Sequence, residues 1–437
     1  MGIVDNMAKK IKDVGRQNAS KNFPCELLNC YNSAMSDLMY TMPALAGLRS
    51  FFPAVMHDSI FVVGGTVRDL LSGAAAKDID LAAALDDDAL ERLGFRAVSG
   101  KSTVDIWFRH DARLGNMELV QLDNRAALAC DLARRDFTIN ALAMDLTGKL
   151  IDPCNGADDI AARRLRPCSP TAIEIDPLRT FRAFRFSAEN WVLSEDMEVL
   201  LRSRGWDRYL EQIPVERFSR EMTKALGAAD PAGFFLRMQQ FNIGKCYLPE
   251  LFRMPAIPAG PARHHPEGDL FTHSLQVLQR AARISADPLT RFCALFHDLG
   301  KLASDPALYP AHHGHDLAGY RLAPAFCKRL RLPSSYGSSL AWVSRLHTNM
   351  NRWHELREST KLRLAGQAIK SGVTSMLVTV STADKQTSSI PDDWEHVLKT
   401  ASMTTLELGI DQTTLQNTPP HKRPEYIFQH RLQALKT

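Results

Sequence analysis

One short stretch of the chain constrains its fold more than any other. SIFVVGG is a β-rich run that ends on Gly64 and Gly65, and TVRDLLSG then reads as the start of a helix closed by Gly73. Nine residues after the GGTVRD turn, Asp78 and Asp80 alternate within KDIDLAAAL. Strand alternation puts both carboxylates on one face. Two like charges there repel unless a cation sits with them, and hard carboxylate oxygens suit Mg²⁺. The glycine turn exposes backbone N–H groups beside Arg68, a combination suited to a triphosphate. Taken singly, a DxD is usually solvated charge and a Gly-Gly pair usually a tight turn. In this order and at this spacing they describe a site for phosphoryl transfer, where cations lower the charge of a triphosphate, orient it, and stabilise the attacking and leaving oxygens.

The rest of the pattern predicts an α+β chain. VDIWFRH and MELVQL are further strand candidates, so the region reads as a small mixed sheet carrying helices. After about Pro167 helical periodicity takes over, in DPLRTFRAFRFSAENW, ERFSREMTKALG and PAGFFLRMQQF. The proline- and glycine-rich FRMPAIPAGPARHHPEGD suits neither helix nor central strand and predicts a boundary near residue 262. A chain of 437 residues exceeds the usual limit of a single core. The expected parts are an N-terminal extension (1–45), a head (46–166), a helical neck (167–262), a second helical unit (263–400) and a helical tail (401–437).

No apolar run reaches the roughly 18 residues of a membrane span, and the first residues carry charges with no signal-peptide core. These features predict a cytoplasmic chain. The eight cysteines lack the close pairs of a zinc ribbon and the density of a disulfide scaffold, which predicts reduced structural thiols. Net charge is only +4, but arginines recur in ARRDF, AARRLR, PLRTFRAFR and FCKRLRL while acids gather near Asp86–Asp88. A polyanionic partner is compatible with this balance and not demanded by it.

A second constellation lies downstream. FTHSLQVL supplies His273, CALFHDLGK supplies His297 and Asp298, and VSTADKQT supplies Asp384. A helical bundle can bring two histidines and two aspartates to one divalent ion, and imidazole favours transition metals. His315 and His347 fit a surface position as well as a second metal.

Four motifs, VVGGTVRDLLSG, KDIDLA, ARRDFTINALA and DPLRTFRAFRF, resemble in order and spacing the bacterial and eukaryotic class of tRNA nucleotidyltransferases and their poly(A) polymerase relatives. The resemblance spans about residues 58–260. It implies a polymerase-beta-like head followed by an all-α neck, and template-independent addition of nucleotides from CTP and ATP to the 3′ end of tRNA. It also implies that Asp78 and Asp80 hold Mg²⁺ and that Gly64, Gly65 and Arg68 bind the triphosphate. Arg135, Asp136 and Asn140 then contact the ribose, and Arg182 belongs to the nucleotide site. Glu118 is either a third carboxylate or a solvent-facing residue.

Asp176 and Arg179 are three apart on a predicted helix and so share a side, an acceptor beside a donor. Cytosine and adenine both present an amino donor next to a ring-nitrogen acceptor, so the pair favours C and A without a template. The related motif is Glu-Asp-x-x-Arg, whereas here Ile175 precedes Asp176 and the glutamate is Glu174. Between QLDNR and ARRDF only AALACDL remains, a short segment similar to the branch that adds CC alone. The alternatives are a poly(A) polymerase and a non-catalytic, RNA-holding head.

HHPEGDLFTHSLQVL and FHDLGK resemble the HD phosphohydrolase superfamily, over about residues 263–400. That resemblance implies a Ni, Mn or Co site on His273, His297, Asp298 and Asp384. Water activated there would attack phosphorus in cyclic phosphates, nucleotides or damaged RNA ends.

Overall fold

A computed structural model describes residues 43–73, 78–98, 106–385 and 391–436, so most of the N-terminal extension lies outside it. Two compact units emerge. The first runs through Arg179 and takes in Trp191–Arg204; the second comprises Thr180–Asn190 and everything from Gly205 onward.

In the first unit the predicted strands form, together with three that the sequence pattern does not announce. Strands β1 (Ile60–Val63), β2 (Ile79–Ala83), β3 (Arg96–Val98), β4 (Ile106–Asp111), β5 (Gly115–Gln121), β6 (Ala143–Asp145) and β7 (Leu150–Ile151) make a seven-stranded sheet of order β3-β4-β5-β2-β1-β6-β7. All pairings are antiparallel except β2 with β5. β1 is central and buried along its whole length, which is why IFVV reads as unbroken apolar sequence. The acids at 86–88 are structural. Asp86 caps the helix Asp87–Arg92 by accepting the Ala89 amide at 2.8 Å, and the next two place negative charge in its first turn.

The short segment before Arg134 is helical: Ala127–Ala133 carries Leu128 and Leu132 into the sheet core with Phe61, Val63 and Ala82. Asp176 differs from the sequence expectation. It lies outside any helix, in extended conformation between Ala172–Ile175 and Arg179–Ala188, because proline at 177 opposes helical geometry in the residue before it. It therefore does not share a helical face with Arg179.

The first unit is completed by a return of the chain. β8 (Arg164–Leu165) pairs in parallel with β9 (Val192–Leu193), and the Arg163 guanidinium lies 4.7 Å from the Trp191 ring centroid.

The second unit is helical. An aromatic cluster joins its first helices, with Phe181 4.7 Å from Phe218 and 5.8 Å from Tyr247 between ring centroids, and Phe218 stacked on Tyr247. The proline- and glycine-rich run near residue 260 lies inside this unit and is pinned to it. Ala259 N bonds Gly268 O at 2.9 Å and Leu270 N bonds Ile257 O at 2.8 Å, which leads straight into the helix Leu270–Ile284. Asp269 caps that helix through the Thr272 amide. Among the described residues no helix is long and apolar enough to cross a membrane, and the described cysteines are free thiols.

Truncating Phe181 removes the ring at the centre of this cluster. Phe181→Ala is expected to destabilise the second unit by about 3–5 kcal/mol, read as a lower denaturant midpoint in that unit's unfolding transition.

Candidate functional site

In the first unit, the glycine pair opens the helix Gly64–Leu71 directly after β1. Gly64 has φ +64°, where a side chain is strained, and a Cβ there would lie 2.5 Å from Arg135 Nη1. A Cβ on Gly65 would lie 3.4 Å from Asp80 Oδ2. The glycines thus let the chain pass tightly beside a carboxylate and a guanidinium.

Asp80 lies on β2 and Asp78 in the bend just before it. Thr66 ties the two positions together, since its hydroxyl donates to Asp78 O at 3.2 Å and accepts the Asp80 amide at 2.8 Å. Asn116 Nδ2 donates to Asp78 Oδ1 at 3.2 Å. The parallel register sets Glu118 opposite Asp80, on the same face of the sheet. Burial, then the charges of Asp80 and Asp78, push the Glu118 carboxyl above its ordinary range. Asp80 is also pushed up by burial, against the opposing pull of Arg135, the Gly65 amide and Arg68. This set of acceptor-only groups with too much mutual repulsion fits a divalent cation.

The residues of ARRDFTIN form one chain of bonds with the glycine helix. Arg68 Nη1 donates to Asn140 Oδ1 at 2.6 Å, and Asn140 Nδ2 donates to Asp136 Oδ1 at 3.0 Å. Arg135 is braced by Asp131 at 2.9 Å. Arg179 donates to the carbonyls of Arg134, Arg135 and Ala172 at 2.8–3.2 Å, which places it beside Arg135. Asp176 Oδ1 accepts the Leu178 amide at 3.2 Å, and Ile175 is 57% exposed. Arg182 belongs to the second unit, 3.9 Å from Glu221. Sequence reading missed Asp159, fully buried in the first unit. It accepts from the Thr138 hydroxyl at 2.6 Å, Arg164 at 2.5 Å and Arg166 at 2.9 Å, and so steadies the Thr138–Asn140 turn.

In the second unit, His273, His297, Asp298 and Asp384 converge from separate elements. Asp298 Oδ2 lies 3.2 Å from His297 Nε2 and 3.5 Å from His273 Nε2, while Asp384 Oδ1 lies 3.2 Å from His273 Nε2. His315 and His347 join the set, their Nε2 atoms 3.4 and 3.5 Å from Asp298 Oδ1. His347 is buried, so a surface role is ruled out for it. Lys301 went unnoticed in the sequence. Its ammonium sits 2.7 Å from Asp298 Oδ2 and donates to Ala259 O.

Three of the imidazoles donate Nδ1 to backbone carbonyls: His297 to Ala294, His315 to His312 and His347 to Ser344. That bond fixes the tautomer and turns each Nε2 lone pair inward. Nε2 of His273, Nε2 of His297 and Oδ1 of Asp298 are buried without a hydrogen-bond partner. Such unsatisfied acceptors are costly unless something binds them, and they fit a divalent cation. Burial would raise the Asp298 carboxyl, but Lys301 and His297 hold it well below the usual carboxylate range. Two trios, His273–His297–Asp298 and Asp298–His315–His347, keep all their ligand atoms within 4.8 Å of one another and share Asp298.

Family models match at both places, a poly(A) polymerase head domain over residues 102–166 and an HD domain over 270–374. The chain is 36% identical over 324 residues to the multifunctional CCA protein of Thioalkalivibrio sulfidiphilus, covering 69% of this chain and 78% of that one. The chain belongs to the multifunctional CCA protein family. The same family's protein from Legionella pneumophila (strain Paris) is 34% identical over 329 residues, covering 70% of this chain and 79% of its own. The fold matches a CCA-adding enzyme solved with CTP at TM-score 0.64 and 20% identity, over 92% of this chain and 94% of that one. It also matches the Thermotoga maritima CCA-adding enzyme complexed with tRNA at TM-score 0.58 and 19% identity, over 98% and 94% of the two chains. Membership of the family makes the first unit a nucleotidyltransferase head and the second the carrier of an HD domain, both dependent on divalent metal.

The raised Glu118 carboxyl has a pH consequence. A folded pKa above the unfolded one leaves stability intact below about pH 4 and removes it as pH rises through the folded value. Metal-free Glu118→Gln protein should therefore unfold at a higher temperature than wild type at pH 7, and the difference should vanish toward pH 4. Calorimetry of the metal-free proteins at both pH values checks this.

Proposed function

We propose that the first unit adds nucleotides from CTP and ATP to the 3′ end of tRNA, completing CCA, and that the second hydrolyses phosphoesters. The observation that carries the first part is the Asp78, Asp80 and Glu118 carboxylate set facing the glycine helix, in a member of the multifunctional CCA protein family. Asp78 and Asp80 hold Mg²⁺, with Glu118 as a third carboxylate. An ion held there would lower the charge on the triphosphate and favour attack by the RNA 3′ hydroxyl. Gly64 and Gly65 offer backbone amides to the phosphates, and Arg68 offers its guanidinium, held in place by Asn140. Arg135, Asp136 and Asn140 meet the ribose, and Arg179 and Asp176 read the base. The head is assigned to 46–166, the neck to 167–262, the HD domain to 263–400 and the tail to 401–437, in a cytoplasmic protein.

The second reading is addition of CC alone. It is favoured by the helix Ala127–Ala133, which takes up seven of the twelve residues between β5 and Arg134 and leaves no long flexible segment there. The relatives' name favours full CCA addition. Labelled ATP offered with tRNA ending in CC separates the two, and incorporation of AMP is the expected result. A product that stops after two cytidines would establish the CC reading.

In the HD domain His273, His297, Asp298 and Asp384 hold one transition ion, Ni²⁺, Mn²⁺ or Co²⁺. His315 and His347 with the shared Asp298 hold a second. A metal held by these residues would supply activation of water for attack on phosphorus. Lys301 neutralises Asp298, and the histidines keep the ligand lone pairs aimed inward.

Asp80→Ala is expected to abolish nucleotide addition, by at least about a thousandfold, with tRNA retention in a gel-shift assay largely preserved. Asp298→Ala should remove Ni²⁺-, Mn²⁺- or Co²⁺-dependent hydrolysis of a 2′,3′-cyclic phosphate while nucleotide addition continues. Hydrolysis lost in Asp80→Ala protein, or surviving in Asp298→Ala protein, would put that chemistry in the wrong unit.

A further inference from the structure

Glu267 lies outside the two trios that share Asp298 and groups instead with His265 and His273, their ligand atoms within 4.8 Å of one another. One of its oxygens, Oε1, accepts Nδ1 of His273 at 2.7 Å and Nδ1 of His265 at 2.9 Å. Among the described imidazoles facing Asp298, the other three rest their Nδ1 on backbone carbonyls, whereas His273 rests on this side chain. The two rings meet edge to face with centroids 4.9 Å apart. Gly260 leaves space for the arrangement, since a Cβ there would lie 2.4 Å from His265 Cδ2. The loop itself is closed by backbone bonds, His265 N to Pro261 O at 3.1 Å and Gly268 N to His265 O at 3.2 Å.

We propose that Glu267 is a positioning residue: its single oxygen fixes the orientation and tautomer of His273, and His265 holds that carboxylate in place. The inference rests on the reading of His273 as a metal ligand. A charged acceptor on Nδ1 keeps the proton there, leaves the Nε2 lone pair for the ion and makes the imidazole a stronger donor. His265 occupies the same oxygen from the other side, so the carboxylate cannot swing away from His273 without breaking a second bond. The Nε2 of His273, buried with no hydrogen-bond partner, is the atom that this bracing aims.

Two measurements on the full chain test the proposal. Calorimetric titration of the metal-free protein with Ni²⁺ should show Glu267→Ala weakening binding by about ten- to a hundredfold, the usual range for such outer partners. Glu267→Gln should restore part of the loss, since its amide oxygen still accepts N–H but carries no charge. His265→Ala should have a smaller effect, because the bond to His273 remains. Separately, ¹⁵N NMR of the metal-free protein at alkaline pH, where the ring is neutral, should find His273 protonated on Nδ1 in wild type and shifted toward Nε2 in Glu267→Ala. An unchanged tautomer, or unchanged Ni²⁺ affinity in a folded Glu267→Ala protein, overturns the proposal. Wild-type protein that takes up no Ni²⁺ would instead overturn the metal reading beneath it, and the tautomer would still decide what Glu267 does.

Discussion

The parallel pairing of β2 with β5 is the constraint on which the head depends. Antiparallel neighbours can be joined by a tight turn, but a parallel pair needs a crossover, and here the chain makes it through the helix Asp87–Arg92 and the strands β3 and β4. The register that results sets Asp80 against Glu118, residues far apart in the chain, on one half-buried face. Concentrating carboxylates in this way works against the fold, as the raised Asp80 and Glu118 carboxyls show. Arg135, the Gly65 amide and Arg68 offset part of that repulsion, and a bound cation would offset more.

The histidine cluster answers the same problem with different chemistry. A carboxylate as buried as Asp298 is tolerable only with compensating charge and hydrogen bonds, and Lys301 supplies the positive partner at 2.7 Å. The proline- and glycine-rich run also contributes, since carbonyls that no helix uses are free to receive Lys301, at Ala259, and His312, at Pro258. A stretch that looks like a spacer in sequence is thus part of the wall of the site.

Much of this was legible in the sequence because it rests on local patterns. The strand and turn around Gly64, the spacing of the aspartates and the helical periodicity from Arg179 onward each follow from side chains close together in the chain. Family resemblance extended that reading to Asn140, whose bond to Arg68 spans 72 residues. What stayed hidden depends on distant partners. Glu118 could not be told from a solvated glutamate before its register with Asp80 was known. Asp159 looks like any helix acid until Arg164, Arg166 and Thr138 close on it. Lys301 and Glu267 stayed hidden because a lysine and a loop glutamate look like ordinary surface charges in sequence, and their importance comes from the atoms they touch. The helical face assumed for Asp176 failed on Pro177, a local signal present in the sequence.

The return of Trp191–Arg204 to the first unit ties synthesis of the protein to its folding. Domains usually form in order as the chain leaves the ribosome, but β8 lacks its partner β9 until residue 193 has emerged, after Thr180–Asn190 of the second unit has already been made. For that interval Leu165, buried in the finished unit, waits for Leu193. The first unit can therefore close only after part of the second has been synthesised.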